Sequence, residues 1–95
     1  MDRSKLFTNT KKRKPRRKRL FIHLINDDVN SFEYVHHCLM SICGHNSIQA
    51  EQCTLLVHNT GSTIVESGFS PEIFMVYTQL IKHGLKVDIK TTKSK

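Results

Sequence analysis

The sequence predicts an α+β fold of order β-α-α-β-α-β, a sandwich of three helices packed on a three-stranded sheet. Three observations lead there. Helix-start signatures stand ahead of apolar residues at helical spacing, at Asn30–Glu33, Asn46–Gln49 and Ser70-Pro71-Glu72. Leu85-Lys86-Val87-Asp88-Ile89-Lys90 alternates strictly between apolar and polar, the pattern of a half-buried strand. The charge also divides the chain. Residues 1–19 hold ten of its 15 Lys and Arg against one acid, whereas 20–95 carry five Lys against seven acids. Residues 1–19 therefore read as a disordered basic tail, and 20–95 as one folded domain.

Each element has a local cause. In the tail, densely packed like charges repel and stay solvated, and Pro15 discourages a helix. Leu20-Phe21-Ile22-His23-Leu24-Ile25 is a short apolar run bounded by charge and by Asn-Asp-Asp, as expected of a buried strand. Asn30 with Glu33 forms a capping box, so a helix should start near Ser31, with Val35, Cys38, Leu39 and Ile42 as its buried stripe and Gly44 as its stop. Asn46 with Gln49 caps a second helix that runs to about Asn59, where Gly61 supplies the positive φ just past its end. Ser62–Ser67, centred on Ile64 and Val65, is a second strand. Ser70 is the expected cap of the third helix, Pro71 lies in its first turn and Glu72 at its positive end. That helix carries Ile73, Val76, Tyr77, Leu80 and Ile81 on one side, and Gly84 closes it. The strand from Leu85 to Lys90 follows.

Composition removes several function classes. No apolar run reaches the roughly 18 residues of a membrane span. The Leu20–Ile25 run is shorter than the roughly 7–15 residues of a signal-peptide core, and no small-residue cleavage site follows it. Three cysteines, Cys38, Cys43 and Cys53, sit within helical patterning, which fits reduced thiols and a cytoplasmic protein better than a disulfide framework. The formal charge of +7 belongs to the tail, so any nucleic-acid contact would run through the tail alone.

Two clusters could carry binding chemistry. Asn26-Asp27-Asp28 lies between a strand and a helix. Such residues ordinarily bond nearby backbone N–H groups, but the same acceptors can hold an ammonium group. His58 ends the second helix. A lone His there is usually a core-edge residue, yet Thr54, Val57 and His58 stand at i, i+3, i+4 and share a face. Phe32 and Val35 are three apart on the first helix. The two helices can thus place an apolar wall beside polar groups, the usual form of a ligand site. A metal is not expected. His36 and His37 diverge by about 100° on a helix, and His36, His37, Cys38, Cys43 and His45 contain neither a CxxC nor an HxxxH pair. Catalysis finds no Ser-His-acid set and no phosphate-binding glycine loop, so no cofactor is expected and an enzyme is the weaker class.

These residues resemble the ClpS family, adaptors of the ATP-dependent Clp protease that recognise N-degrons. A strand runs into Asn26-Asp27-Asp28, Phe32-Glu33-Tyr34-Val35 looks like the family's hydrophobic-Glu-Phe-Val segment, and Leu56-Val57-His58 with Gly61 follows at the family's spacing. The likeness is good over 20–61 and looser over 62–91. It implies a non-enzymatic adaptor whose pocket takes the first side chain of a substrate, typically Phe, Leu, Tyr or Trp. By that resemblance Asn26, Asp27, Asp28 and His58 would hold the substrate's α-amino group. Asn30, Phe32, Val35, Thr54, Val57 and Leu85 would line the pocket. The implied partner is a Clp-family AAA+ unfoldase, ClpA- or ClpC-like. Positions 32 and 54 often hold Met in the family, so Phe32 and Thr54 reshape this pocket. The rival class is a ribosome-associated or RNA-binding module that uses the basic tail, because fold alone does not fix function.

Overall fold

The computed structural model describes residues 17–92. Of the disordered tail expected over residues 1–19, residues 1–16 lie outside that range. The elements follow the expected order: β1 (Leu20–Ile25), α1 (Phe32–Cys43), α2 (Ser47–Thr60), β2 (Ser62–Gly68), α3 (Glu72–Lys82) and β3 (Val87–Lys90). The sheet order is β2-β1-β3, with β1 antiparallel to both neighbours. As the central strand β1 has a paired neighbour on each edge, and its residues Phe21 to Leu24 are all buried.

Ile22 and Leu24 point from β1 into the helix layer. There they meet Cys38 and Leu39 of α1, Ala50 and Val57 of α2, Ile73 and Leu80 of α3, and Leu85 in one buried cluster. β2 departs from a regular ladder. Ile22 pairs with Glu66 and His23 with Ile64, so Val65 is an extra residue at a bulge.

Several helix ends differ from the sequence expectation. The α1 cap is Ser31, not Asn30: Ser31 Oγ accepts from Tyr34 N, and Asn30 instead donates to the Gly84 carbonyl at 3.0 Å. The third helix is preceded by Pro71, with no side-chain cap bond from Ser70. Its Ile81 is 47% exposed rather than part of the buried side. β3 starts at Val87, because the chain first turns through Gly84 at φ 85° and buries Leu85 against α3. Asn46 caps α2 as expected, accepting from Gln49 N at 2.7 Å.

Candidate functional site

A pocket of about 400 Å³ opens where the end of β1, the start of α1, the last turns of α2 and Leu85 meet. Local bonds set its shape. Ile25 N donates to Lys86 O at 2.8 Å, and Asn26 N to Gly61 O at 2.9 Å. The second bond draws the Asn26–Asp28 turn against the C-terminal end of α2, one turn from His58. Gly61 sits at φ 96°, a conformation that side chains disfavour, so its carbonyl can face Asn26. On the other flank Tyr34 Oη donates to His83 O at 2.6 Å, and Asn30 ties α1 to the Gly84 turn. These contacts fix the distance between α1 and Leu85 and hold the pocket open between them.

All ten residues singled out from the sequence line this pocket: Asn26, Asp27, Asp28, Asn30, Phe32, Val35, Thr54, Val57, His58 and Leu85. Leu24, Ile25 and Ser31 line it too and were not expected. Leu24 and Ile25 read only as strand core. Their position just ahead of Asn26 was the available signal.

The walls are apolar and partly fixed. Val57 and Leu85 are buried, Val35 is half-buried, and Thr54 is buried with its hydroxyl donating to Ala50 O at 2.7 Å. That bond satisfies the Thr54 donor inside its own helix, so the wall presents no unmet hydroxyl proton. Phe32 stands half-exposed at the lip, its ring stacked on His36 with 6.4 Å between centroids.

The four polar groups are not equivalent. Asp27 turns inward on its own loop and accepts from Val29 N at 2.9 Å, Asn30 N at 3.1 Å and the Asn30 side-chain amide. Burial raises the pKa of this carboxyl. The two backbone bonds, the Asn30 side chain and the positive charge of Lys86 outweigh that and hold it below its usual value. The side chains of Asn26, Asp28 and His58 bond none of the described residues, and all three are exposed. Two acceptors and an imidazole thus converge unspent at the mouth of an apolar cavity. His58 also lies in the last turn of α2, where the helix dipole is negative and favours a cation.

The Cys43 and Cys53 thiols lack the depressed pKa of a nucleophile. Burial pushes Cys43 up to about 12, helped by the negative charge of Glu66 and by Cys53 and Cys38, and burial also raises Cys53. No helix among the described residues is long and apolar enough to cross a membrane.

Comparison with known proteins places this architecture. No curated protein sequence matches the chain. Among solved structures, Agrobacterium tumefaciens ClpS2 bound to L-phenylalaninamide superposes with a TM-score of 0.66 at 18% identity, over 79% of this chain and 98% of that one. The likeness extends to the fold. The family model for the ATP-dependent Clp protease adaptor protein ClpS matches residues 15–88, which spans every helix and most of the sheet. On that match the chain belongs to the ClpS family of Clp protease adaptors.

Proposed function

We propose that this protein is an N-degron adaptor: it binds the free N-terminal residue of a substrate polypeptide and delivers that substrate to a Clp-type AAA+ unfoldase, ClpA- or ClpC-like. One observation carries the binding half. An apolar pocket of about 400 Å³ has Asn26, Asp28 and His58 at its mouth, with no other described residue using them. A first residue with a large apolar side chain and a free ammonium fits both parts at once. The related ClpS2 was solved with L-phenylalaninamide, which has a benzyl side chain and a free α-amino group. Delivery rests on family membership alone.

The magnitudes are adequate. Burying a Phe or Leu side chain contributes about 1.5–3 kcal/mol, and a hydrogen bond to a charged group about 1.5–3 kcal/mol. After the cost of association, a micromolar Kd is expected. An internal Phe lacks the ammonium and an N-terminal Gly lacks the side chain, so neither should bind. Within the site, Asn26, Asp28 and His58 take the ammonium, while Asp27 holds the loop that presents them. Phe32, Val35, Thr54, Val57 and Leu85 enclose the side chain, and Asn30 braces the pocket rim.

The test is fluorescence anisotropy of labelled peptides that start with free Phe or Leu, run beside the same peptides acetylated at the N-terminus. Micromolar binding abolished by acetylation is the expected result. Equal binding of both forms, or none of either, would sink the reading. For delivery, degradation of a Phe-initiated reporter by a purified Clp protease should depend on added adaptor and be lost with His58→Ala.

A further inference from the structure

We propose that Cys43, His45 and Glu66 form a zinc-binding site on the side of the domain away from the pocket. None of the three lines the pocket, so the proposal is independent of N-degron binding. The sequence spacing gave no hint, because the ligands come from the last residue of α1, the α1–α2 connection and a distant strand.

The structure brings them together through two backbone irregularities. Gly44, at φ 74°, reverses the chain between Cys43 and His45. The bulge at Val65 re-aims Glu66. Because Glu66 pairs with Ile22, whose side chain is in the core, it faces the helix layer rather than the far face of the sheet. One ligand atom from each of Cys43, His45 and Glu66 then lies within 4.8 Å of the others. Zinc bonds of about 2.0–2.3 Å put tetrahedral ligand atoms roughly 3.3–3.6 Å apart, so a small contraction closes the site.

His45 is the independent sign of a ligand. It is only 6% exposed, and its Nε2 donates to the Val65 carbonyl at 2.7 Å. A carbonyl can only accept, so the ring proton is on Nε2. Nδ1 is buried and has no partner among the described residues. An imidazole with one nitrogen donating to a backbone carbonyl and the other left open is how metal-bound histidines are oriented. A thiolate, an imidazole and a carboxylate together suit Zn²⁺ better than Mg²⁺ or Ca²⁺. Cys43 and Glu66 are only partly buried, which leaves an entry path and room for water at the fourth position. A bound ion would link the end of α1 and the α1–α2 connection to β2.

The experiment is titration of the full, reduced chain with Zn²⁺ against a chromophoric chelator, repeated with Co²⁺ as a spectroscopic stand-in. One ion per chain is expected, with a thiolate-to-cobalt charge-transfer band. A Tm higher by about 10 °C is expected at a hundredfold excess of metal over Kd. Cys43→Ser should abolish the band, and both Cys43→Ser and Glu66→Gln should weaken binding at least tenfold. Metal affinity unchanged in both variants would assign the ion to exposed histidines and overturn the site, as would a wild-type cobalt complex without the band. Should Cys43→Ser fail to fold, Glu66→Gln and the wild-type spectrum decide between the same outcomes.

Discussion

Asp27 and Asp28 are neighbours of the same residue type with different chemistry, and only their hydrogen bonds tell them apart. Asp27 accepts from three donor groups within its own loop, whereas Asp28 is exposed and bonds none of the described residues. Asp28→Asn should therefore leave stability unchanged and weaken binding of a Phe-initiated peptide roughly ten- to hundredfold, the equivalent of one lost charged hydrogen bond. Asp27→Asn should instead destabilise the fold, and with a defined pH dependence. The folded-state pKa of Asp27 lies below the unfolded value of about 3.9. Its contribution is therefore present above that value and is lost as pH falls through the lower folded pKa. Urea midpoints of wild type and Asp27→Asn should differ at pH 7 and converge as the pH drops below about 4. A gap that stays constant down to pH 2 would remove Asp27 from this role.

Among the elements, the helix ends carry the clearest expectations. Ser31 and Asn46 each accept a backbone N–H of the first turn, so Ser31→Ala and Asn46→Ala should each cost about 1 kcal/mol in chemical denaturation. Ser70→Ala should cost much less, since Ser70 makes no cap bond and its carbonyl, which accepts from Arg17, survives the change. Gly61→Ala tests a different term. A Cβ there meets nothing within 4 Å, so its cost of roughly 1–2 kcal/mol comes from backbone strain at φ 96°. The same change should weaken peptide binding, because the Gly61 carbonyl anchors Asn26 beside His58.

For the molecule as a whole, the described residues show where the basic segment joins the folded body. Arg17 and Arg19 lie over the Phe69 ring at 4.7 and 4.9 Å, and Arg17 also donates to the Ser70 carbonyl. The charge pattern alone assigns both arginines to the tail. Their contacts motivate a sharper division: deletion of residues 1–19 should lower Tm by a few degrees more than deletion of 1–16 does, through loss of exposed cation–π contacts of about 0.5–1 kcal/mol each. If the tail binds RNA, that binding should vanish with either deletion and fall steeply with salt. Peptide binding in the pocket should survive both. An intact salt-dependent RNA affinity after deletion of 1–19 would place the nucleic-acid surface on the body instead.

By itself the sequence determined what depends on near neighbours in the chain: the presence and order of three helices between start and stop residues, the alternation of the last strand, and the charge boundary near residue 20. Helical spacing also put Thr54, Val57 and His58 on one face, but joining them to Asn26, 32 positions from His58, took the resemblance to a family pattern. What the tertiary structure decided depends on pairing across the chain. It made Ser31 the cap and sent Asn30 to the Gly84 turn, which no local propensity separates. It gave Asp27 the loop and left the Asp28 side chain unbonded among the described residues, although their local sequence is nearly the same. It also set a bulge at Val65 that turns Glu66 toward Cys43 and His45. A bulge is a mismatch between two strands and is written in neither strand alone, so the cluster around His45 emerges only once β2 is laid against β1.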